Sequence, residues 1–389
     1  MKKSLIALGV LSAFAGAAHA QSSVTLYGLI DEGLDYTNNV GGHSLYALSS
    51  GDAQGSRWGM KGAEDLGGGL SAIFRLESGL NVNNGKFAQE GQEFGRQAYV
   101  GVASTTIGTL TLGRQYDSLV DYLAPLTANG NWGGAMFSHP YDNDNTDNSF
   151  RINNAVKYTS VDYAGFTFGG AYAFSNSTNF AVNRAQSVGA QYINGPLNVA
   201  AAYLNVDSPN NGSAGAVANL GSSGTDGSWT AARQRVFGVG INYTIASATL
   251  TFVYTHTQLS QPTATEYANL TPSPTLGAAS SLKFNNFEVN AKYQFTPSFF
   301  VGGMYTYTQA SYDGTAGNSA KPKYHQFGLI ADYNLSKRTD VYVQGSYVKV
   351  ASASDVAGTG LEFAANPDAA GPSSSSKQVM ARVGIRQRF

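Results

Sequence analysis

Phe287-Glu288-Val289-Asn290-Ala291-Lys292-Tyr293-Gln294-Phe295 is the stretch that decides the fold. Its odd-numbered residues are apolar, and its even-numbered ones carry a charge or an amide. Side chains of an extended strand point to opposite faces at period two, so this stretch has one greasy and one wet face. The pattern returns where Phe327, Leu329, Ala331, Tyr333 and Leu335 alternate with Gln326, Gly328, Ile330, Asp332 and Asn334. Such strands fit a half-buried soluble sheet and a barrel in lipid equally well. Connections, prolines and the chain end separate the two.

Working outward, alternating segments of about ten to fourteen residues begin at Ser23 and are joined by links of two kinds. Seven are very short: Asp65-Leu66-Gly67-Gly68, Thr106-Ile107-Gly108, Tyr163-Ala164-Gly165, Asn194-Gly195-Pro196, Ala246-Ser247, Thr296-Pro297 and Ser336-Lys337-Arg338. Eight are long and polar, and the two kinds alternate. Fifteen connections join sixteen strands, expected at 24–35, 55–64, 69–79, 95–104, 109–116, 151–162, 166–175, 184–194, 197–206, 233–245, 248–259, 282–295, 299–311, 323–335, 340–351 and 377–389. The alternation puts every long loop on one side, the asymmetry of outer-membrane barrels with short periplasmic turns and long outside loops. All eleven prolines fall in loops or turns, where none deletes a ladder hydrogen bond. At the end of the chain, Val379, Ala381, Val383, Ile385 and Phe389 alternate with polar residues and arginines, and a last strand pairing with the first would leave no edge bare in lipid. Aromatics such as Tyr163, Phe166, Tyr293, Phe299 and Tyr333 cluster near strand ends, as interfacial girdles require. The expected fold is an all-β, sixteen-stranded antiparallel transmembrane barrel.

Composition agrees with extended, turn-rich structure. Of 389 residues 46 are Gly, 23 Tyr and 20 Phe, and only 13% are charged. The formal net charge of -1 removes the global electrostatic case for a nucleic-acid partner. With no Cys there are no disulfides, thiolate metal sites or cysteine nucleophiles. Residues 1–20 have the form of a signal peptide: basic Lys2 and Lys3, an apolar run from Leu5 to Ala17, then Ala18-His19-Ala20 for cleavage. The run is too short to cross ~30 Å of hydrocarbon as a helix, which disfavours an anchor. The mature chain, 21–389, is then expected to be one barrel domain in the outer membrane, meeting its lipids and lipopolysaccharide. The Gly/Ser/Asn-rich stretches 207–232 and 351–376 are read as surface loops, not linkers, because alternation resumes beyond each.

Several motifs carry a resemblance: Ser23-Val24-Thr25-Leu26-Tyr27-Gly28, the run Ser56-Arg57-Trp58-Gly59-Met60-Lys61-Gly62-Ala63-Glu64-Asp65-Leu66-Gly67-Gly68-Gly69-Leu70, Arg96-Gln97-Ala98-Tyr99-Val100-Gly101, Gly108 to Tyr116, Asn153-Asn154-Ala155-Val156-Lys157-Tyr158, and Val383 to Phe389. Together they resemble the Gram-negative general porins of betaproteobacterial type, and they span the mature chain. The resemblance implies a homotrimeric outer-membrane barrel passing small hydrophilic solutes and ions by passive diffusion. It also implies a third loop folded into the lumen as a constriction, and no cofactor.

A sixteen-stranded barrel leaves an aqueous channel unless something fills it. The longest connection, 115–150, is the natural occupant, and it carries Asp117, Asp121, Asp142, Asp144 and Asp147 with no Lys or Arg. Facing it, a basic wall is expected. Arg57 and Lys61 share one face of their strand, Arg75 lies between Phe74 and Leu76, and Lys157 between Val156 and Tyr158. Charge facing lipid costs about 2–4 kcal/mol at mid-bilayer, so these side chains should point inward. Arg96 and Arg114 match arginines of the family motifs, although Arg114 shares parity with Leu110 and Leu112, a conflict that a bulge near Gly113 would resolve. Basic wall against acidic loop would place a transverse field across the pore and tune its selectivity, with a lean to mild anion preference. The plainer reading is that these are lumen charges paired for stability.

Enzyme signatures are weak. The five histidines do not form a His-Glu-x-x-His zinc arrangement. Asp142-x-Asp144-x-Thr146-Asp147 partly matches a calcium loop, but Asp147 stands where Gly is needed and Asn153 where Glu is. A barrel enzyme and a loop-displaying adhesin are the rival readings, and neither has a supporting motif.

Overall fold

A computed structural model describes residues 23–209, 215–217, 229–268 and 270–389. Residues 1–20, expected above to be a signal peptide, lie outside the described residues, as does most of the 207–232 stretch. Sixteen long strands form one antiparallel sheet: β1 Ser23–Val40, β2 Arg57–Gly67, β3 Leu70–Gly79, β4 Gln97–Ser104, β5 Gly108–Gln115, β6 Ile152–Ser160, β7 Phe166–Ala173, β8 Arg184–Asn194, β9 Leu197–Asp207, β10 Arg233–Ile245, β11 Ala248–Ser260, β12 Ala279–Thr296, β13 Phe299–Gly314, β14 Lys323–Asn334, β15 Thr339–Ala351 and β16 Lys377–Arg388. Each pairs with its neighbour in sequence, and β16 pairs back onto β1 with Leu29 opposite Arg388. The sheet is therefore closed. Gly28 and Phe389 exchange two backbone hydrogen bonds of 3.0 Å, so the last residue is tied into the seam.

Charge complementarity reinforces closure. β1 carries Asp31 and Asp35 inward, and β16 carries Arg382 and Arg386 opposite them. The fully buried Arg382 donates to Asp35 at 2.9 Å and to Asp52 at 2.5 Å. Arg386 turns the other way, to Asp332 at 3.0 Å and Asp340 at 2.8 Å. Buried charges are tolerable only when paired in this manner.

The two faces sort as the alternation requires. On β12, Phe287, Val289, Tyr293 and Phe295 are exposed on the outer surface while Asn286, Glu288 and Asn290 are buried inward. Outward aromatics make ring contacts along the short-turn rim, with Tyr293 and Phe295 at 4.6 Å and Phe295 and Phe299 at 5.6 Å. Among the described residues no helix is long and apolar enough to cross a membrane. The apolar belt of the barrel serves instead.

Strand ends differ from expectation where loops extend the ladder. β1 runs to Val40, not residue 35, and turns through Gly41 and Gly42, both at positive φ, into an added strand at His43–Ser50. β2 covers only the lower part of β1, Ser23 to Leu29. The added strand pairs with Glu32 to Val40 above it, satisfying backbone groups that would otherwise form a bare edge.

Candidate channel constriction

Residues 116–151 leave β5 and fold inward as a run of short helical turns at 119–123, 124–126, 129–133, 135–137 and 140–142. The loop lies inside the barrel because its apolar side chains find a wall with room for them. Leu119, Tyr122, Leu123 and Leu126 pack against Ala155, Ala171, Ala185, Ala200, Ala202, Val236 and Val253 of β6 to β11. The glycines of this wall matter by absence of a side chain: a Cβ on Gly189 would stand 2.5 Å from Tyr122. Further along, Trp132, Met136 and Phe137 pack on Phe300, Met304, Ile330 and Tyr342. That contact explains why apolar Ile330 sits on the wet face of β14. Tyr141, at φ 61, is held edge-on by Trp229 and Tyr324.

Crossing this way, the loop leaves a cavity of about 760 Å³ against the opposite wall. At loop level it is lined by Arg57, Arg75, Arg96 and Arg151, and toward the short turns by Lys292, Arg386 and Arg388. Its carboxylates are Asp52, Glu77, Asp147 and Asp332. Cations outnumber anions seven to four. Glu77, 1% exposed, organises the arginines: Arg75 donates to it at 2.7 Å and Arg96 at 2.9 Å. Tyr27 and Tyr116 donate to the same carboxylate at 2.8 and 3.2 Å. One carboxylate thus faces two guanidinium groups. Arg57 makes no ion pair among the described residues, and the Lys292 ammonium sits 4.2 Å from the centre of the Phe300 ring.

Of the expected basic wall, Arg57, Arg75 and Arg96 line the cavity. Lys61 lies opposite Arg75 on the same lumen face, its ammonium 5.7 Å from the Tyr27 ring and outside the cavity lining. Lys157 is used by the loop itself, in an ion pair with Asp121 and a 3.0 Å hydrogen bond to the Tyr116 carbonyl. Arg114 is buried at the top of β5, donating to the Gly95 carbonyl at 2.7 Å and to Asn153 at 2.6 Å. The ladder between β5 and β6 slips between Gly113 and Gln115, the irregularity that the parity of Arg114 required.

The loop carboxylates divide as well. Asp147 faces the cavity. Asp117 accepts from the Leu119 amide and from Asn145, both at 2.7 Å, and Asp142 accepts from the Asp147 and Ser149 amides. Asp144 accepts from His139 and Thr255. These three brace the loop and do not face the water. Burial pushes the Asp117 carboxyl up to about 6, and Asp147 likewise to about 6 despite the nearby Arg151 and Arg96. Among the described residues no three acidic or histidine side chains are arranged to hold a metal ion.

Glu77, Arg151, Lys292, Arg386 and Arg388 were not anticipated at the cavity, although Lys292, Arg386 and Arg388 stand on wet faces in their alternating strands. Parity could have found them.

Comparison with known proteins places this geometry in a family. A family model described as Gram-negative porin matches residues 7–352. An outer membrane porin protein of Bordetella pertussis is 34% identical over 428 aligned residues, covering 100% of both chains. Outer membrane porin protein 32 of Delftia acidovorans is 32% identical, again over 100% of both. Among solved structures, the anion-selective porin from Comamonas acidovorans superposes with a TM-score of 0.72 at 25% identity, covering 95% of this chain and 100% of that one. The trimer form of the Vibrio cholerae outer membrane protein OmpT shares the fold, with a TM-score of 0.64 at 17% identity over 95% of this chain and 99% of that one.

Proposed function

Because this chain belongs to the Gram-negative porin family, outer-membrane channels for passive diffusion and not enzymes, we propose that its charged constriction makes the pore anion-preferring. The observation that carries this is the composition of the cavity, seven cationic side chains against four carboxylates. In a narrow passage between low-dielectric walls an unbalanced lining concentrates counter-ions and repels co-ions. Arg57 and Lys292, which form no ion pair among the described residues, contribute most of the imbalance, while Arg75 and Arg96 share Glu77. The anion-selective Comamonas relative has the same fold.

The loop sets the width of the passage and contributes Asp147 as its cavity-facing carboxylate. The assembly we assign is a homotrimer, supported by the family and by the trimer form of the Vibrio relative. The remaining apolar belt is assigned to outer-membrane lipid and lipopolysaccharide. Reversal potential in a salt gradient across a planar bilayer tests the selectivity. The expected sign is that of anion preference, weakened by Arg57→Ala and by Arg75→Ala. Strong cation selectivity unchanged by either substitution would overturn the assignment.

A further inference from the structure

A buried cation links the wall to Asp147, the loop carboxylate that lines the cavity. His139 lies within the loop with its whole side chain shielded from solvent. Its Nδ1 is 2.6 Å from Asp144 Oδ2 and its Nε2 is 3.0 Å from Glu288 Oε2, and both carboxylates are equally buried. A neutral imidazole has one N–H and could donate to only one of them, leaving a lone pair against the other. With both carboxylates ionised, the two contacts require the imidazolium. Burial alone would lower its pKa, but Asp144 and Glu288 outweigh that and push it up to about 10. Asp144, whose burial would raise it, is held down at about 2 by the same imidazolium.

Each partner extends the connection. Glu288 belongs to β12, and its other oxygen accepts from the Ala128 amide at 2.7 Å and from Asn290 at 2.5 Å, so the same carboxylate grips the loop twice. On the far side, Asp144 opens the tight turn that presents Asp147. Asp144 accepts from Thr146 at 3.0 Å, and the Asp147 amide donates to Asp142 at 3.0 Å. A continuous path of hydrogen bonds and short chain therefore runs from β12 through His139 to Asp147.

We infer that His139 is a positioning residue, an imidazolium clamp between the barrel wall and the constriction loop that fixes Asp147 against the arginine wall and so tempers the anion preference of the pore. Residues elsewhere on the loop, Trp132 and Phe137, are held by packing, which resists displacement but does not fix a carboxylate in direction. Breaking the clamp should leave the barrel closed and let the Asp147 turn shift, making the cavity more cationic.

The inference rests on the channel reading above, and bilayer recordings separate the two. No conductance steps from native protein would sink the channel; native steps with the variants behaving as native would sink only the clamp. His139→Gln is compared with Asp147→Asn and the double variant, each checked for a closed barrel by its boiling-dependent shift in gel migration. The expected result is a reversal potential displaced toward stronger anion preference and noisier open-channel current in His139→Gln, with no further displacement when it is added to Asp147→Asn. Equal displacement in both backgrounds, or none in a folded His139→Gln channel, overturns the clamp. Should the Gln variant not fold, Glu288→Ala breaks the clamp from the wall side and keeps the imidazolium beside Asp144. It must give the same displacement, and a folded Glu288→Ala channel with native selectivity overturns the inference.

Discussion

The two sides of the lumen obey one alternation and do opposite things. From β6 to β11 many of the inward residues at loop level are Ala, Gly and Val, and the apolar side chains of the loop pack onto them. On β2 and β3, with the segment that leads into β4, they are Arg57, Arg75, Glu77 and Arg96, and the space in front of them stays open. Small side chains leave depth for Leu119, Tyr122 and Leu123 to bury apolar area at roughly 25 cal/mol per Å². Guanidinium groups cannot be covered by leucine without losing hydration worth far more. The channel runs where the loop could not dry the wall.

The largest expected effect comes from upsetting the charged side. Glu77→Gln leaves two guanidinium groups without their shared carboxylate, and removing one partner of a buried ion pair costs about 3–5 kcal/mol. A lowered thermal transition of the folded barrel and a reversal potential shifted toward anions are the outcomes to measure. Upsetting the packed side comes next. Leu123→Ala removes a fully buried side chain, a class of change that costs about 2–5 kcal/mol. The loosened loop should be cut sooner by protease between residues 116 and 151 while the strands stay intact. Equal protection of the native and variant loops would break the comparison.

A smaller effect is expected from acid. Asp147, held up at about 6, is ionised above that pH and neutral below it. Acidification through about pH 6 therefore removes negative charge from the cavity, so anion preference should rise on the acid side and rise less in Asp147→Asn. The smallest effect is expected at the start of the loop. Lys157 and Asp121 are partly exposed to lumen water, where ion pairs are worth about 0–1 kcal/mol, so Lys157→Ala should barely move stability. A loss comparable to that of Leu123→Ala would mean the loop is anchored by charge more than by packing.

Much of this was legible in advance. Strand number, the short and long connections and the closing role of Phe389 follow from period two and turn residues alone. The inward direction of Arg57, Arg75 and Lys157 follows from the cost of charge in lipid. Lys61 and Lys157 show where that reasoning stops. Both face the lumen as expected, yet one lies beyond the cavity lining and the other is consumed by Asp121. His139 offered no signal, because its partners Asp144 and Glu288 are 5 and 149 residues away. Arg386 and Arg388 had the right parity, but nothing in a single strand gave their height.

The sequence by itself determined, wherever the ladder runs without a bulge, which face of each strand meets lipid and which meets water, since a side chain's direction there follows its place in the alternation. Height along the pore axis was decided by the tertiary structure, because it depends on the stagger that sixteen tilted strands accumulate on closing. The side on which the loop lies was decided there too. The small residues that receive it, from Ala155 to Val253, are scattered over six strands and become one surface only when those strands stand side by side.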